Sequence, residues 1–421
     1  MKETKDSGVT WLGEIPQDWQ LSKIGSLYLQ RNEKVSDKDY PPLSVTMQGI
    51  LPQLATAAKT NDGDNRKLVR VGDFAINSRS DRRGSCGISP LDGSVSLINI
   101  ILTPRTVMHP GYYNWLFHTT LFADEFYKWG HGIVADLWTT RWQEMKSITV
   151  PVPEYAEQER IAAFLNAECA EIDAVLEKTR ASIEEYKKLK QVVITQAVTK
   201  GVRGDRPMKD SGIEWIGEIP NGVPVSRVGL HFDVILGKML CSNPIDDSYT
   251  LEPYYCAADV HFEGISDGEK KKMWFSPAEK KQYRIKNGDL LVVEGGAGAG
   301  GCAIVVDKNI PIYVQNSIMI VRSKGNANIR YLRYLLECLV KKGYIDVVCN
   351  KATIPHFTKD KLANVPLIIF SRNEQEEIVA YLNKKCADID ALIVKKQQYL
   401  IEIERYKKSL IYEYVTGKRE P

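Results

Sequence analysis

Lys5-Asp6-Ser7-Gly8-Val9-Thr10-Trp11-Leu12-Gly13-Glu14-Ile15-Pro16 returns later in the chain as Lys209-Asp210-Ser211-Gly212-Ile213-Glu214-Trp215-Ile216-Gly217-Glu218-Ile219-Pro220. A second copied block follows each. Glu157-Gln158-Glu159-Arg160-Ile161 through Leu165-Asn166 and Cys169 to Ala174 reappears as Glu374-Gln375-Glu376-Glu377-Ile378 through Leu382-Asn383 and Cys386 to Ala391. Between the copied blocks, roughly residues 25 to 150 and 230 to 370, likeness is weak. A repeat of about two hundred residues is too long for a solenoid unit. The pattern is a domain duplication in which a frame was kept and two inserts diverged.

With 421 residues the chain is long enough for two to four domains, and the duplication favours an even number. Hydrophobic content of 43% and charged content of 26% suit a soluble globular chain, and a net charge of +3 identifies no partner, so any nucleic-acid signal must be local. The start, Met1 to Asp6, lacks an apolar leader, and no apolar run approaches the length of a membrane span, so the expected location is the cytoplasm. The eight cysteines form no Cys-x-x-Cys pair, which speaks against structural zinc; Cys169 and Cys386 read as small core residues.

After Pro151-Val152-Pro153, apolar residues recur at Ile172, Leu176, Ile183, Tyr186, Val193 and Ala197 in steps of three, four and seven, which is a heptad seam. The second copy carries Ile389, Ile393, Leu400, Ile403, Leu410 and Tyr414 at an unbroken offset of 217. Runs of roughly 60 Å at 1.5 Å per residue, with one apolar stripe each, need a partner. The simplest pairing is with each other, antiparallel if the halves are related by a pseudo-twofold axis; pairing with another molecule stays open. Lys190 and Lys407 occupy equivalent seam positions, either fixing register or snorkelling to solvent.

Both inserts show short apolar runs punctuated by Gly, Pro, Asn and Asp, the mark of β-rich α+β structure. Their frames correspond: a Gly-Asp turn at Gly72-Asp73 and Gly288-Asp289, a strand, a polar loop, another strand, then a more helical part. The loops differ. The first reads Asn77-Ser78-Arg79-Ser80-Asp81-Arg82-Arg83-Gly84, and the second Glu294-Gly295-Gly296-Ala297-Gly298-Ala299-Gly300-Gly301. Arginine forks suit phosphate or guanine, so Asn77, Arg79, Ser80, Arg82 and Arg83 are candidate DNA contacts, against the alternative of a solvated, salt-bridged loop. Gly296, Gly298 and Gly301 fit a dinucleotide fingerprint, but Cys302-Ala303-Ile304-Val305-Val306 reads as a strand where a helix is required, so a hairpin is predicted.

A basic, aromatic stretch carries Lys270, Lys271, Lys272, Trp274, Lys280, Lys281, Tyr283 and Arg284, suited to phosphate contact or simply a solvated face. Trp138, Thr139 and Arg141 correspond by the 217 offset to Pro355, His356 and Thr358; with Lys351 and Thr353 these loops either touch DNA or dock each insert on its helix. No Asn-Pro-Pro-Tyr, phosphate-loop, His-Glu-x-x-His or Gly-x-Ser-x-Gly motif is present, and the six histidines are scattered. The chain reads as a binder without chemistry of its own.

With its repeated Ser-Gly-Ile-Glu-Trp-Ile-Gly-Glu-Ile-Pro (211 to 220, twin at 7 to 16), its Pro151, Pro153, Glu157, Gln158, Ile161 helix start and its Val415-Thr416-Gly417 helix exit, the chain resembles the specificity subunit of type I restriction-modification systems over nearly its full length. It departs slightly: Pro366 lacks the second proline, and the first exit reads Val198-Thr199-Lys200-Gly201. The resemblance implies a first target-recognition domain over 1–153, a long helix over 154–200, a second recognition domain over 201–370 and a second long helix over 371–421. It also implies an α+β fold of two β-rich α+β recognition domains joined by two long antiparallel helices in a coiled coil. Each domain would read half of a bipartite, asymmetric double-stranded DNA target, Arg79, Arg82 and Arg83 serving one half and Lys270 to Arg284 with the His356 loop the other. Adenine methyltransferase (M) subunits would dock on the helices and restriction (R) subunits outside them. S-adenosylmethionine, ATP and Mg would then bind the partners, and this chain would hold no cofactor and no metal. Two other classes make different forecasts: an enzyme would be active as the purified chain, and a coiled-coil tether would lack salt-dependent affinity for duplex DNA.

Overall fold

Each copied Ser-Gly-x-x-Trp block closes a tight hairpin, Thr4–Asp6 on Glu14–Pro16 and Met208–Asp210 on Glu218–Pro220. The sequence dictates both turns in the same way: Gly8 and Gly212 adopt positive φ and donate N–H to Asp6 and Asp210, and Ser7 and Ser211 donate to the carbonyls of Gly13 and Gly217. The computed structural model describes residues 3–55, 62–132, 138–266, 268–306, 311–349 and 355–421. They form two compact units, residues 1–181 with 397–421 and residues 182–396. The fold is α+β, with two β-rich domains joined by two long antiparallel helices that form a coiled coil.

In the first unit a four-stranded antiparallel sheet runs in the order Cys86–Ile88, Phe74–Asn77, Asn99–Pro104, Tyr28–Arg31. Alternation sends Phe74 and Ile76 into one apolar cluster and Ala75 into another, so the strand reads as a continuous apolar run. The second unit repeats this order with Cys302–Ile304, Leu290–Val293, Ile318–Ser323 and Phe232–Leu236, and splits Leu290 and Val292 from Leu291 and Val293 in the same manner. The Gly-Asp turn before the second strand of each order is capped by its own aspartate, which accepts the N–H of Arg70 (2.9 Å) or Lys286 (2.8 Å). Arg31 pairs with Asp73 at 2.8 Å, and Arg322 with Asp289 at 2.7 Å. The buried carboxylate is kept, while the arginine comes from a different strand. The hairpin predicted at Gly296 to Gly301 is present, since Leu290–Val293 and Cys302–Ile304 pair antiparallel.

The accessory sheets differ. The first unit has Gly93–Val95, Arg66–Val69 and Lys34–Val35, whereas the second has Lys272–Phe275, Thr250–Tyr255 and Tyr313–Val314, the last pair parallel. The helical parts fall at Pro110–Phe117 and Thr120–Lys128, and at Ile329–Lys341 and Tyr344–Val348.

The long helices are Tyr155–Lys200 (46 residues) and Arg372–Val415 (44 residues), ending at left-handed Gly201 and Gly417. Leu176, Ile183, Ile389 and Leu410 are buried, and Ile172, Tyr186, Val193, Ile393, Leu400 and Ile403 half-buried, along the predicted seam. In the first unit Lys407 donates to Asp173 (2.6 Å) and Arg180 to Glu404 (2.7 Å), so numbering rises on one helix as it falls on the other. In the second unit Lys190 donates to Asp390 at 2.7 Å, the same pair moved by 217 residues. Both seam lysines therefore reach an aspartate across an antiparallel contact.

The copied Glu-Gln pair fastens each β-rich domain to its helix. Gln158 accepts the N–H of His109 (2.9 Å) and donates to Pro153 O (2.8 Å); Gln375 accepts from Asn328 (2.8 Å) and donates to Phe370 O (2.8 Å). Trp19 donates to Glu157 at 3.0 Å. Tyr112 and Tyr331 hydroxyls donate to the carbonyls of Val415 and Val198, one for each unit.

Candidate nucleic-acid interface

The loop after Phe74–Asn77 and the segment Trp138–Thr140 lie side by side, joined by backbone hydrogen bonds. Ser80 N–H donates to Trp138 O (3.0 Å), Thr140 N–H to Ser78 O (2.9 Å), and Arg79 bridges Thr139. The second unit repeats this ladder bond for bond. Gly296 N–H donates to Pro355 O (3.2 Å), Phe357 N–H to Glu294 O (2.6 Å), and Gly295 bridges His356. Two stretches singled out separately in each half of the sequence are thus one structural feature. Its scaffold is constant and its side chains are not: Ser80, Arg82 and Arg83 correspond to Gly296, Gly298 and Ala299, and Trp138 and Thr139 to Pro355 and His356.

In the first unit Asn77 is buried and structural, its carboxamide accepting Arg79 N–H at 3.0 Å and its carbonyl accepting the Tyr127 hydroxyl at 3.0 Å. Arg79 and Arg141 are exposed. Arg82 is 71% exposed, with Asp81 3.7 Å away. Arg83 pairs with Asp124 and lies 5.9 Å from the Tyr127 ring. Ser80, Arg83, Asp124, Tyr127, Lys128 and Trp138 line an open groove of about 450 Å³. Trp138 is held edgewise by donation to Tyr127 O at 2.8 Å, leaving part of its ring accessible. Burial pushes the Tyr127 phenol well above its usual range. Tyr127 and Lys128 were not singled out in the sequence, where they fall in the more helical part that follows the strands.

In the second unit the basic stretch belongs to the accessory sheet and the helix Pro277–Tyr283 that follows it. Lys270 is not a free cation: its side chain is 11% exposed, 2.9 Å from Asp259 and 5.0 Å from the Tyr255 ring centroid. Lys280 pairs with Glu252 at 3.3 Å. Lys271, Lys272, Lys281, Arg284 and His356 are exposed, while Lys351 and Thr353 lie outside the described residues, as do Asp136 and Leu137. Lys238, which no motif marked, is buried against Glu279 with its ammonium 5.4 Å from Tyr249 and 5.7 Å from Phe275. The exposed Met239 and Leu240 follow it, and Cys241 O then accepts the N–H of Trp274 on the basic strand at 3.0 Å. Among the described residues no group of three His, Cys, Asp or Glu side chains could hold a metal ion, and no helix is long and apolar enough to cross a membrane.

Residues 236–404, which include the glycine loop, its His356 partner and most of the second long helix, match the family model for the type I restriction modification DNA specificity domain. Over 97% of its length the chain is 21% identical to a putative type I restriction enzyme MjaX specificity subunit of Methanocaldococcus jannaschii, of which 95% is covered. The second half of the chain thus matches the type I specificity domain, and the whole chain is similar to a type I specificity subunit. Its fold is shared by a chain solved in work on complex assembly and conformational transition of the type I R-M system, with a TM-score of 0.72, 18% identity and coverage of 96% of this chain and 99% of that one. The HsdS subunit from Thermoanaerobacter tengcongensis follows at 0.56 and 18%, with coverage of 96% and 98%. At such identity the likeness shows the fold. In this chain the two loop pairs share one backbone ladder and differ in their side chains.

Proposed function

We propose that this chain is a type I specificity subunit, that it binds double-stranded DNA and that each β-rich domain reads one half of a bipartite, asymmetric target, with the paired helices setting the spacing between the halves. The observation that carries this reading is the repeated loop ladder, which presents Arg79, Ser80, Arg82, Arg83 and Trp138 in one unit and a glycine run with His356 in the other. A constant scaffold with unlike side chains is what two unlike half-sites require. Lys271, Lys272, Lys281 and Arg284 serve phosphate contact in the second half, while Lys270 and Lys280 hold the surface that displays them.

In this reading the chain catalyses nothing. Adenine methyltransferase subunits dock on the helices, restriction subunits join outside them, and S-adenosylmethionine, ATP and Mg belong to those partners. The test is to co-express the chain with the methyltransferase encoded beside it and map methylated adenines in host DNA at single-base resolution. A bipartite asymmetric motif that disappears without the chain is the expected result. Identical methylation with and without it would overturn the proposal.

A further inference from the structure

Met239 and Leu240 are 75% and 58% exposed, and among the described residues they are the one pair of sequence neighbours in which both side chains are large, apolar and exposed. Single exposed apolar side chains are ordinary, but a contiguous pair on a fixed segment is a candidate for contact with another molecule. This pair is fixed at both ends. On one side Gly237 N–H donates to Ile318 O (3.0 Å), Lys238 N–H to Val314 O (3.0 Å) and Asn316 N–H to Lys238 O (2.8 Å), while the buried Lys238 ammonium pairs with Glu279. On the other, Cys241 O accepts Trp274 N–H. The tip is thus tied to the strand that carries Lys272 and to the helix that carries Lys281, both exposed cations. It also stands at the same end of the sheet as the glycine loop. Phe232–Leu236 and Leu290–Val293 flank Ile318–Ser323 and both run antiparallel to it, so their final residues emerge at one end, about 10 Å apart at two strand spacings. The first leads into Met239 and Leu240, and the second into the loop paired with His356. Residues 315–317 bond to both, since Asn316 N–H donates to Lys238 O and Ser317 O accepts Glu294 N–H at 2.9 Å. In the first unit Tyr28–Arg31 is followed instead by Lys34–Val35, which pairs with Arg66–Val69.

Leucine and methionine are side chains that DNA-bending proteins push between base pairs, while cations nearby hold the phosphates. We infer that Met239 and Leu240 form an apolar wedge that enters between two neighbouring base pairs in or beside the second half of the duplex target, unstacking them and bending the DNA. This rests on the DNA-recognition reading above and adds a contact that carries specificity without a hydrogen bond to any base. Unstacking is easiest at pyrimidine–purine steps such as TA and CA, so the wedge selects for such a step. The first unit has no such pair among its described residues, so the bend is confined to one side of the target.

The experiment uses the chain assembled with its methyltransferase and a duplex carrying the mapped target. It reads affinity by competition at fixed salt, the bend by energy transfer between the duplex ends, and unstacking by 2-aminopurine set in turn at each step of the second half-site and its flank, the methylated adenine excepted. The wild-type complex is expected to bend the duplex by about 20–90° and to raise the fluorescence at one step. Met239→Ala combined with Leu240→Ala should abolish the bend and that rise and lose about tenfold in affinity, the scale of one mismatched base pair, with its melting temperature unchanged. Met239→Gln alone should weaken all three signals, and it keeps the test decisive should the double variant fail to fold. The exchange of Met239→Leu with Leu240→Met should preserve them. Leu230→Ala is the contrast: Leu230 is 71% exposed but precedes Phe232–Leu236, at the other end of the sheet, and its loss should change nothing. Wild-type bend and affinity in the double-alanine variant would overturn the inference, as would its failure to assemble with the methyltransferase, which would make the pair a protein contact. A wild-type complex that selects its target yet leaves it straight would overturn the inference alone. One that does not distinguish the target from scrambled duplex would overturn the recognition reading, and this inference with it.

Discussion

Replacing Gln158 or Gln375 by leucine tests whether the copied Glu-Gln pair is the fastening between domain and helix. Both side chains are almost inaccessible, at 3% and 5%, and each satisfies one backbone N–H and one backbone carbonyl. Leucine fills similar volume but leaves both backbone groups buried and unpaired, at about 1–3 kcal/mol each. Part of that is offset because a buried amide is also removed, so the net cost is roughly 3 kcal/mol. In a unit of some two hundred residues this lowers the melting temperature by about 6–12 °C. Scanning calorimetry gives the size, and hydrogen exchange gives the place: Gln158→Leu should expose the amide of His109, and Gln375→Leu that of Asn328. A shift below about 2 °C, or protection lost equally in both units from either substitution, would refute the reasoning.

Arg82→Ala should weaken target binding about tenfold and reduce its salt dependence without moving the melting temperature, whereas Lys270→Ala should lower the melting temperature and leave the salt slope intact; the reverse pattern would exchange their roles. Lys190→Met should cost under about 1 kcal/mol, since the Lys190–Asp390 pair is partly exposed, and Lys190→Asp combined with Asp390→Lys should recover stability in a melting assay. Burial lowers the pKa of His118 from its usual 6.5, against the hydrogen bonds to Asn114 and Cys86 that oppose the shift. The unfolded chain therefore binds the extra proton first, so stability is present above pH 6.5 and is lost as pH falls through the lowered value. Melting curves between pH 7 and 5 should show that loss, and His118→Gln should flatten it.

The long helices and their seam were legible because a heptad repeat over forty-odd positions has no competing explanation, and because the seam residues of the first helix recur in the second at one offset. The strand frame was legible for a similar reason: the Gly72-Asp73 and Gly288-Asp289 turns announce themselves locally, through residues that cap their own backbone. What stayed hidden depends on partners distant in the chain. The seam lysines could have fixed register or pointed to solvent until Asp390 and Asp173 came into view. Lys270 looked like part of a cationic surface, since a run of lysines does not reveal that one of them meets Asp259 across a turn. The loop ladder joins Ser80 to Trp138 through backbone atoms, which no side-chain pattern advertises. Lys238 carried no local signal at all, being an isolated lysine beside a glycine.

The first unit is built from both ends of the numbering. Leu410, Tyr414 and Val415 share an apolar cluster with Trp11, Trp19 and Tyr112, and Lys418 donates to the carbonyls of Leu12 and Glu14. During synthesis, at about 5–20 residues per second, residues 182–396 emerge as one stretch and can close their own core at once. Residues 1–181 must wait, with their apolar face unsealed, until 397–421 have left the ribosome. The half translated first is the half completed last, and a chaperone attending this protein would have the most to shield at its amino-terminal side.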